Sequence, residues 1–309
     1  MSNTVSKNSA HSKAYIITGP TSGIGHATAL ELARHGTVVL VGRNREKLNE
    51  VQKEIEKMGQ NAVSVVCDIS DMTSVKRAAQ QIIELKLPVV GLLNNAGIMP
   101  MKATKSAQGW DITYAPNYLG SFMLTEAITP YLPDGANVVF IASAVENPEH
   151  KPAKITGMKG GRYISAEASA RGEWKQGGSK IAGADAYATS KQCVLASTMV
   201  FARETPRLHF NAVEPGITAG TGLGGDAPAF LRFLFGRIVT LFPPFAQYRS
   251  TPARAAQVIT KVLTDESGKT GIYYNQKGEP MLGSTQVRDI KFQDNIVSET
   301  RAFLSKVKV

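Results

Sequence analysis

Tyr187 and Lys191 lie four positions apart in the run Tyr187-Ala188-Thr189-Ser190-Lys191. On a helix that spacing puts both side chains on one face. A free phenol ionises near pH ~10, so it exchanges protons at neutral pH only when its phenolate is stabilised. A neighbouring ammonium can do that, and the same ammonium can hold ribose hydroxyls. The spacing recurs at Tyr273 and Lys277, but there the surrounding residues read as a strand running into a turn. Side chains in such a segment need not share a face. The plainer alternative for Tyr187 is a packing aromatic.

The chain opens with Thr18-Gly19-Pro20-Thr21-Ser22-Gly23-Ile24-Gly25, between an expected strand and an expected helix. Glycine is needed where backbone approaches a phosphate closely or where φ is positive. A helix start offers unpaired N–H groups and a positive dipole end to a pyrophosphate. Thr21 and Ser22 add hydroxyl donors. A tight strand-to-helix turn would use the same glycines, and the position straight after a first strand favours the dinucleotide loop. The second strand ends in Gly42-Arg43-Asn44-Arg45, with no carboxylate at its tip to pair with a free ribose 2′-hydroxyl. Arg43 offers a planar fork suited to a 2′-phosphate, so NADP(H) is expected over NAD(H). Asn44 is grouped with it, and a solvated surface arginine is the alternative.

These residues must be positioned by a frame, and the chain alternates short β-branched runs with longer helical ones. Strands are expected at 14–18, 38–41, 63–66, 89–93, 137–142, 210–213 and 271–274. Helices are expected at 23–35, 46–58, 75–85, 110–131 and 187–203. Nearly continuous apolar strands separated by helices imply a parallel sheet covered on both faces. The expectation is an α/β, Rossmann-type doubly wound sheet of about seven parallel strands, in a single domain over 14–309. Residues 1–13 are polar and read as a disordered tail rather than a signal peptide. A Gly-, Lys-, Ser- and Ala-rich stretch follows the fifth strand, and such long loops are functional or disordered.

Composition narrows the partners. The 309-residue chain carries a formal net charge of +10. A basic balance favours anionic partners, but the basic residues are scattered, as on a solvated surface. No basic run with interleaved aromatics argues for nucleic acid. The five histidines and two cysteines show no metal-ligand spacing. Cys67 and Cys193 read as reduced, buried thiols of a cytoplasmic protein. No window reaches a membrane span. Residues 230–245 come nearest, interrupted by Arg232, Arg237, Pro243 and Pro244.

Taken in order, Thr18-x3-Gly23-Ile24-Gly25, Asp68, Asn94-Asn95-Ala96-Gly97, Asn117, Ser143, Tyr187-x3-Lys191 and Pro215-Gly216 resemble the short-chain dehydrogenase/reductase superfamily. The resemblance covers roughly residues 14–280 and implies hydride transfer between a nicotinamide and a carbonyl or alcohol. It implies that Ser143 hydrogen-bonds the substrate oxygen, that Tyr187 is general acid or base, and that Lys191 activates the phenol and anchors the ribose. Asn117 resembles the residue that kinks its helix and holds a relay water. Asp68 and Ile69 match the adenine side, Asn95, Ala96 and Gly97 the adenosine wall, and Pro215, Gly216, Ile217 and Thr218 the nicotinamide loop. The plainer readings stay open: a strand-end serine, a buried helix asparagine, a helix cap at Asp68 (Ser70 and Asp71 fit that role better), and a simple turn at 94–97.

Two departures stand out. Ser143 and Tyr187 are 44 positions apart, farther than in most relatives, which suits an inserted flap over 146–183. Glu214 precedes Pro215-Gly216 where Asn or His is more familiar, a change expected to alter the local loop and remove no catalytic group. A looser likeness to the retinol dehydrogenase and protochlorophyllide reductase branch suggests a bulky or lipophilic carbonyl substrate. A lid over 219–250 would then present an apolar inner face, and an ordinary packing helix or a membrane-surface element are its alternatives. A C=C or imine reductase on the same site, and a non-catalytic NADP(H)-sensing interaction protein, are the other functions weighed. A homo-oligomer is compatible with all of them.

Overall fold

A computed structural model describes residues 13–100, 104–181, 183–218, 241–243 and 245–307. Most of the expected lid, and the tail before Lys13, therefore lie outside the described residues. The main sheet contains β1 (Ala14–Thr18), β2 (Thr37–Gly42), β3 (Ala62–Val66), β4 (Val89–Asn94), β5 (Asn137–Ile141) and β6 (His209–Val213). A small pair, β7 (Ile217–Thr218) and β8 (Arg249–Ser250), precedes β9 (Ile272–Tyr274) and β10 (Pro280–Met281). The eight-stranded order is β10-β9-β6-β5-β4-β1-β2-β3, and only β10 is antiparallel. The seven expected strands are thus the seven parallel ones.

All five residues of β1 are buried because helices cover both faces of the sheet. The pleat sends alternate side chains to opposite faces. Ile16 joins the cluster of Val39, Val138, Tyr114, Tyr118 and Phe122, whereas Tyr15 and Ile17 join Val38, Leu40, Leu32 and Ile259 on the other side. The helices over that second face are α1 (Gly23–Leu32), α2 (Arg45–Lys57) and α8 (Pro252–Leu263), with α1 packed on α8. The first face is covered by α3 (Met72–Glu84), α4 (Ser121–Ile128), α7 (Ala184–Glu204) and, after the short α9 (Thr285–Arg288), α10 (Ile290–Leu304). Phe122, Phe201 and Phe210 stack there with centroids 5.2 and 5.3 Å apart. Truncating Phe122 to alanine would cost about 3–5 kcal/mol by the usual cavity penalty.

The helix expected over 110–131 is shorter and broken. Asp111 Oδ1 accepts from the N–H groups of Thr113 and Tyr114 at 3.0 and 2.8 Å, so the helical turns begin after it. Ala115–Gly120 then winds as a π-helix before α4. Residues 146–181 fold back onto the domain through α5 (Lys151–Ile155) and α6 (Ala166–Arg171). Tyr163 in this stretch donates to Glu299 of α10 at 2.6 Å, and Arg162 N–H donates to Thr189 of α7 at 2.8 Å. No helix among the described residues is long and apolar enough to cross a membrane.

Candidate active site

Strand order reverses between β4 and β1, because β2 and β3 lie to one side of β1 and β5 and β6 lie beyond β4. Open α/β sheets place ligands in the crevice outside the strand C-termini at such a point. Every site residue singled out in the sequence follows the C-terminal end of one of the first six strands or stands on a helix packed there.

The β1–α1 turn carries Gly19, Thr21, Ser22, Gly23, Ile24 and Gly25. Gly19 and Gly23 have φ of +68° and +55°, which side chains strain to adopt. A Cβ on Gly25 would come within 2.1 Å of the Gly19 carbonyl oxygen, so the third glycine permits strand–helix closure. Ser22 is the extended residue before α1, and its side chain does not cap the helix. The first N–H groups of α1 are left for an anion. From β4, Asn95 Nδ2 donates to the carbonyls of Thr18 and Gly19 at 2.8 and 3.1 Å. Thr18 Oγ1 in turn accepts from the N–H groups of Asn95 and Ala96 at 3.0 and 2.9 Å.

Arg43 stands exposed after β2, with no carboxylate ion-paired to it among the described residues. Asn44 accepts from Lys47 N–H at 2.8 Å and so caps α2. Asp68 accepts from Ser70 N–H and Oγ at 3.0 and 2.7 Å, shaping the turn after β3, while Asp71 caps α3. Ile69 is buried, and its carbonyl lies against Gly120.

The second group gathers around α7, whose many small residues let it sit buried between sheet and α10. Ser143, just past the end of β5, lies close enough to the Tyr187 phenol to act on its pKa, which it lowers. Lys191 Nζ lies 5.6 Å from the Tyr187 ring centroid and donates to the Ile141 carbonyl at 2.6 Å. Asn117, in the π-helix, donates to the Ile98 carbonyl at 2.9 Å and to Ser190 Oγ at 3.2 Å, and accepts from Ile98 N–H at 2.8 Å. A Cβ on Gly97 would lie 3.4 Å from Asn117 Oδ1 and 3.7 Å from Lys191 Nζ, so the two groups of residues adjoin there. Pro215, Gly216, Ile217 and Thr218 form the loop after β6, with Ile217 and Thr218 paired to β8. The rival pair separates: Tyr273 is buried in β9 and Lys277 is exposed in the following turn.

Electrostatics give the site its unexpected member. Glu214 accepts from the N–H groups of Ala144 and, at 3.0 Å, Gly216, and Ser143 lies close enough to act on its carboxylate. Burial pushes its pKa above the usual carboxylate value, against those bonds and the Lys191 charge. Burial, followed by the Glu214 charge, pushes the Tyr187 phenol above its ordinary value, and the nearby Ser143 hydroxyl opposes them. Burial lowers Lys191 to about 8, and Glu214 partly restores it. The phenol is therefore protonated at neutral pH, and the ammonium turns to a strand-end carbonyl rather than making the phenol more acidic. Residue types alone suggested the reverse, because they carry no measure of burial. Glu214's part went unseen for a similar reason: its partners are 71 and 23 positions away in sequence.

The family described as short chain dehydrogenase matches residues 13–152. The chain is 31% identical over 229 residues to dehydrogenase/reductase SDR family member 12 of Bos taurus, covering 73% of this chain and 67% of that one. It is 30% identical over 209 residues to polyprenol dehydrogenase of Homo sapiens, covering 65% of this chain and 59% of that protein's length. A short-chain dehydrogenase from Shigella flexneri 2a strain 301, solved with NADP, superposes with a TM-score of 0.61 at 27% identity over 88% of this chain and all (100%) of that one. The chain belongs to the short-chain dehydrogenase/reductase family of oxidoreductases.

Proposed function

We propose that this protein is an NADP(H)-dependent oxidoreductase acting on a carbonyl/alcohol pair, with Tyr187 as general acid in reduction and general base in oxidation. The observation that carries the reading is the Lys191 ammonium, 5.6 Å from the centre of the Tyr187 ring and tied to the end of β5 through the Ile141 carbonyl, with Ser143 beside the phenol. The residues fit the cofactor. The uncapped start of α1 and the positive φ angles of Gly19 and Gly23 suit a pyrophosphate, and Arg43 is free to take a 2′-phosphate. Asp68 and Ile69 would face the adenine side, Asn95 to Gly97 the adenosine, and Pro215 to Thr218 the nicotinamide. Bound there, the nicotinamide supplies the hydride.

Ser143 Oγ and Tyr187 Oη would hold the substrate oxygen as negative charge develops on it. Tyr187, protonated at neutral pH, then delivers its proton to that oxygen. Lys191 lies near enough to offset the resulting phenolate. Asn117 fixes the loop after β4 against α7 through Ile98 and Ser190.

A bulky, apolar substrate suits the surroundings. Tyr187 packs with Ala153, Met158 and Ala184, and Met99, Val145 and Ile181 border them. Relatives are named for polyprenol and for a daunorubicin C-13 ketone, the latter 26% identical over 273 residues. A panel of ketones, enones and quinones, assayed by NADPH oxidation, tests the proposal. Reduction of bulky ketones is the expected result; turnover confined to C=C bonds, or none, overturns it.

A further inference from the structure

We propose that Glu214 is a positioning residue that serves as counter-charge to the Lys191 ammonium and, through the Ala144 N–H, fixes the strand end that carries Ser143. The proposal rests on the catalytic reading above and adds to it a group outside the four named there.

The loop after β6 aims the Glu214 carboxylate back at the end of β5. Two backbone donors converge on it, Ala144 N–H and Gly216 N–H, the latter at 3.0 Å. Two such groups favour the ionised form of a carboxylate. Ala144 follows Ser143 directly, so the same bond pins the strand end that carries the Ser143 hydroxyl. Lys191 closes the group. It is buried to 3% exposure, and it donates to a neutral carbonyl, that of Ile141. A buried ammonium needs a compensating charge, and Glu214 is the carboxylate that acts on it.

The groups facing Glu214 are Lys191 and Tyr187 from α7 and Tyr273 from β9. Glu146 is a separate buried carboxylate, occupied by the N–H and hydroxyl of Ser284, each at 2.7 Å. Its field reaches Tyr273 too. Removing the Glu214 charge therefore acts in one direction on the reductive pH profile. Lys191, already lowered to about 8, loses its proton at still lower pH. The phenol also loses the negative neighbour that raises it. Both effects draw the alkaline limb downward.

The test compares the unsubstituted chain with Glu214→Gln, Glu214→Asn and Glu214→Asp. The alkaline limb of kcat/KM for NADPH-dependent ketone reduction should fall by about one pH unit in the two neutral variants, the usual scale for a nearby charge. Glu214→Asp, which keeps the charge, should stay near the unsubstituted limb. Unchanged limbs in folded Gln and Asn variants overturn the proposal. The 15Nζ shift of Lys191, assigned with Lys191→Arg, reads the same titration without turnover. A chain that reduces no ketone thus fails the catalytic reading while the Lys191 midpoint still decides this one. If neither neutral variant folds, the unsubstituted chain suffices. The Glu214 carboxyl carbon and the Lys191 nitrogen should each show a step at the other's midpoint, as interacting groups do. Independent single steps overturn the coupling.

Discussion

The two halves of the crevice are built from different materials. On the β1–β4 side, Asn95 and Thr18 exchange neutral hydrogen bonds with the backbone around Gly19, and the charged groups, Arg43 after β2 and Asp68 after β3, stand outside those bonds. On the β5–β6 side, the Glu214 charge acts on both the Lys191 ammonium and the Tyr187 phenol, with Ser143 beside them. The first half holds a shape that no proton can switch. The second holds ionisable groups at pKa values that water would not give them. A loop that must fit one invariant phosphate needs rigidity, whereas a site that passes a proton needs a titratable group, and the fold keeps the two requirements on separate strands.

The largest effect should come from breaking the titratable half. Tyr187→Phe removes the proton donor and leaves the ring's packing with Ala153 and Met158. Turnover should fall by about 10²–10⁴-fold, the range for loss of a general acid. NADPH affinity, read by fluorescence titration, should stay within about twofold, because the phenol is not part of the β1–β4 frame. Matching losses of affinity and turnover would erase the distinction between the halves.

The neutral half should answer to a different probe. Arg43→Ala should weaken NADPH binding by about tenfold or more, the worth of a charge-assisted bond, and leave NADH binding unchanged; paired calorimetric titrations decide it. Asn95→Ala leaves the carbonyls of Thr18 and Gly19 without their donor. It should cost about 1–3 kcal/mol in urea unfolding. That cost should be the same at pH 6 and pH 9, since nothing in the bond titrates there. A cost that changes with pH would show that the neutral half is tied to the charged one.

The halves also differ in how far the sequence reveals them. Gly19, Gly23 and Gly25 are close in sequence and follow a strand, so their reading needs only local rules. The Asp71 cap and the strands were legible for the same reason. The cap at Asp111 is equally local: its carboxylate takes the N–H groups of Thr113 and Tyr114, so the helical turns start after it rather than at 110. Thr251-Pro252, a capping residue before a first-turn proline, likewise announces α8. Helix α10 is harder, because its buried stripe mixes Gln293 and Thr300 with Ile296 and Val297. Glu214 lies beyond such rules. Its meaning depends on Ser143 and Lys191 arriving from β5 and α7, and only the strand order brings them together.

Burial alone does not separate the halves, and the two thiols sharpen that point. Cys67 follows β3 on the β1–β4 side and Cys193 stands on α7, and both are free and buried. Burial pushes Cys67 up to about 12 and raises Cys193 as well, so neither offers much thiolate at pH 8. A thiol at about 12 is ionised to roughly one part in 10⁴ there. Both should resist a disulfide reagent in the folded chain and react fully in denaturant, at similar native rates. A fast Cys193 beside a slow Cys67 would mean that α7 opens readily, and the charged group it carries would then owe its pKa values to a helix in motion. Equal resistance leaves the contrast with the placement of Glu214 and Lys191, since the protein is closed to solvent on both sides.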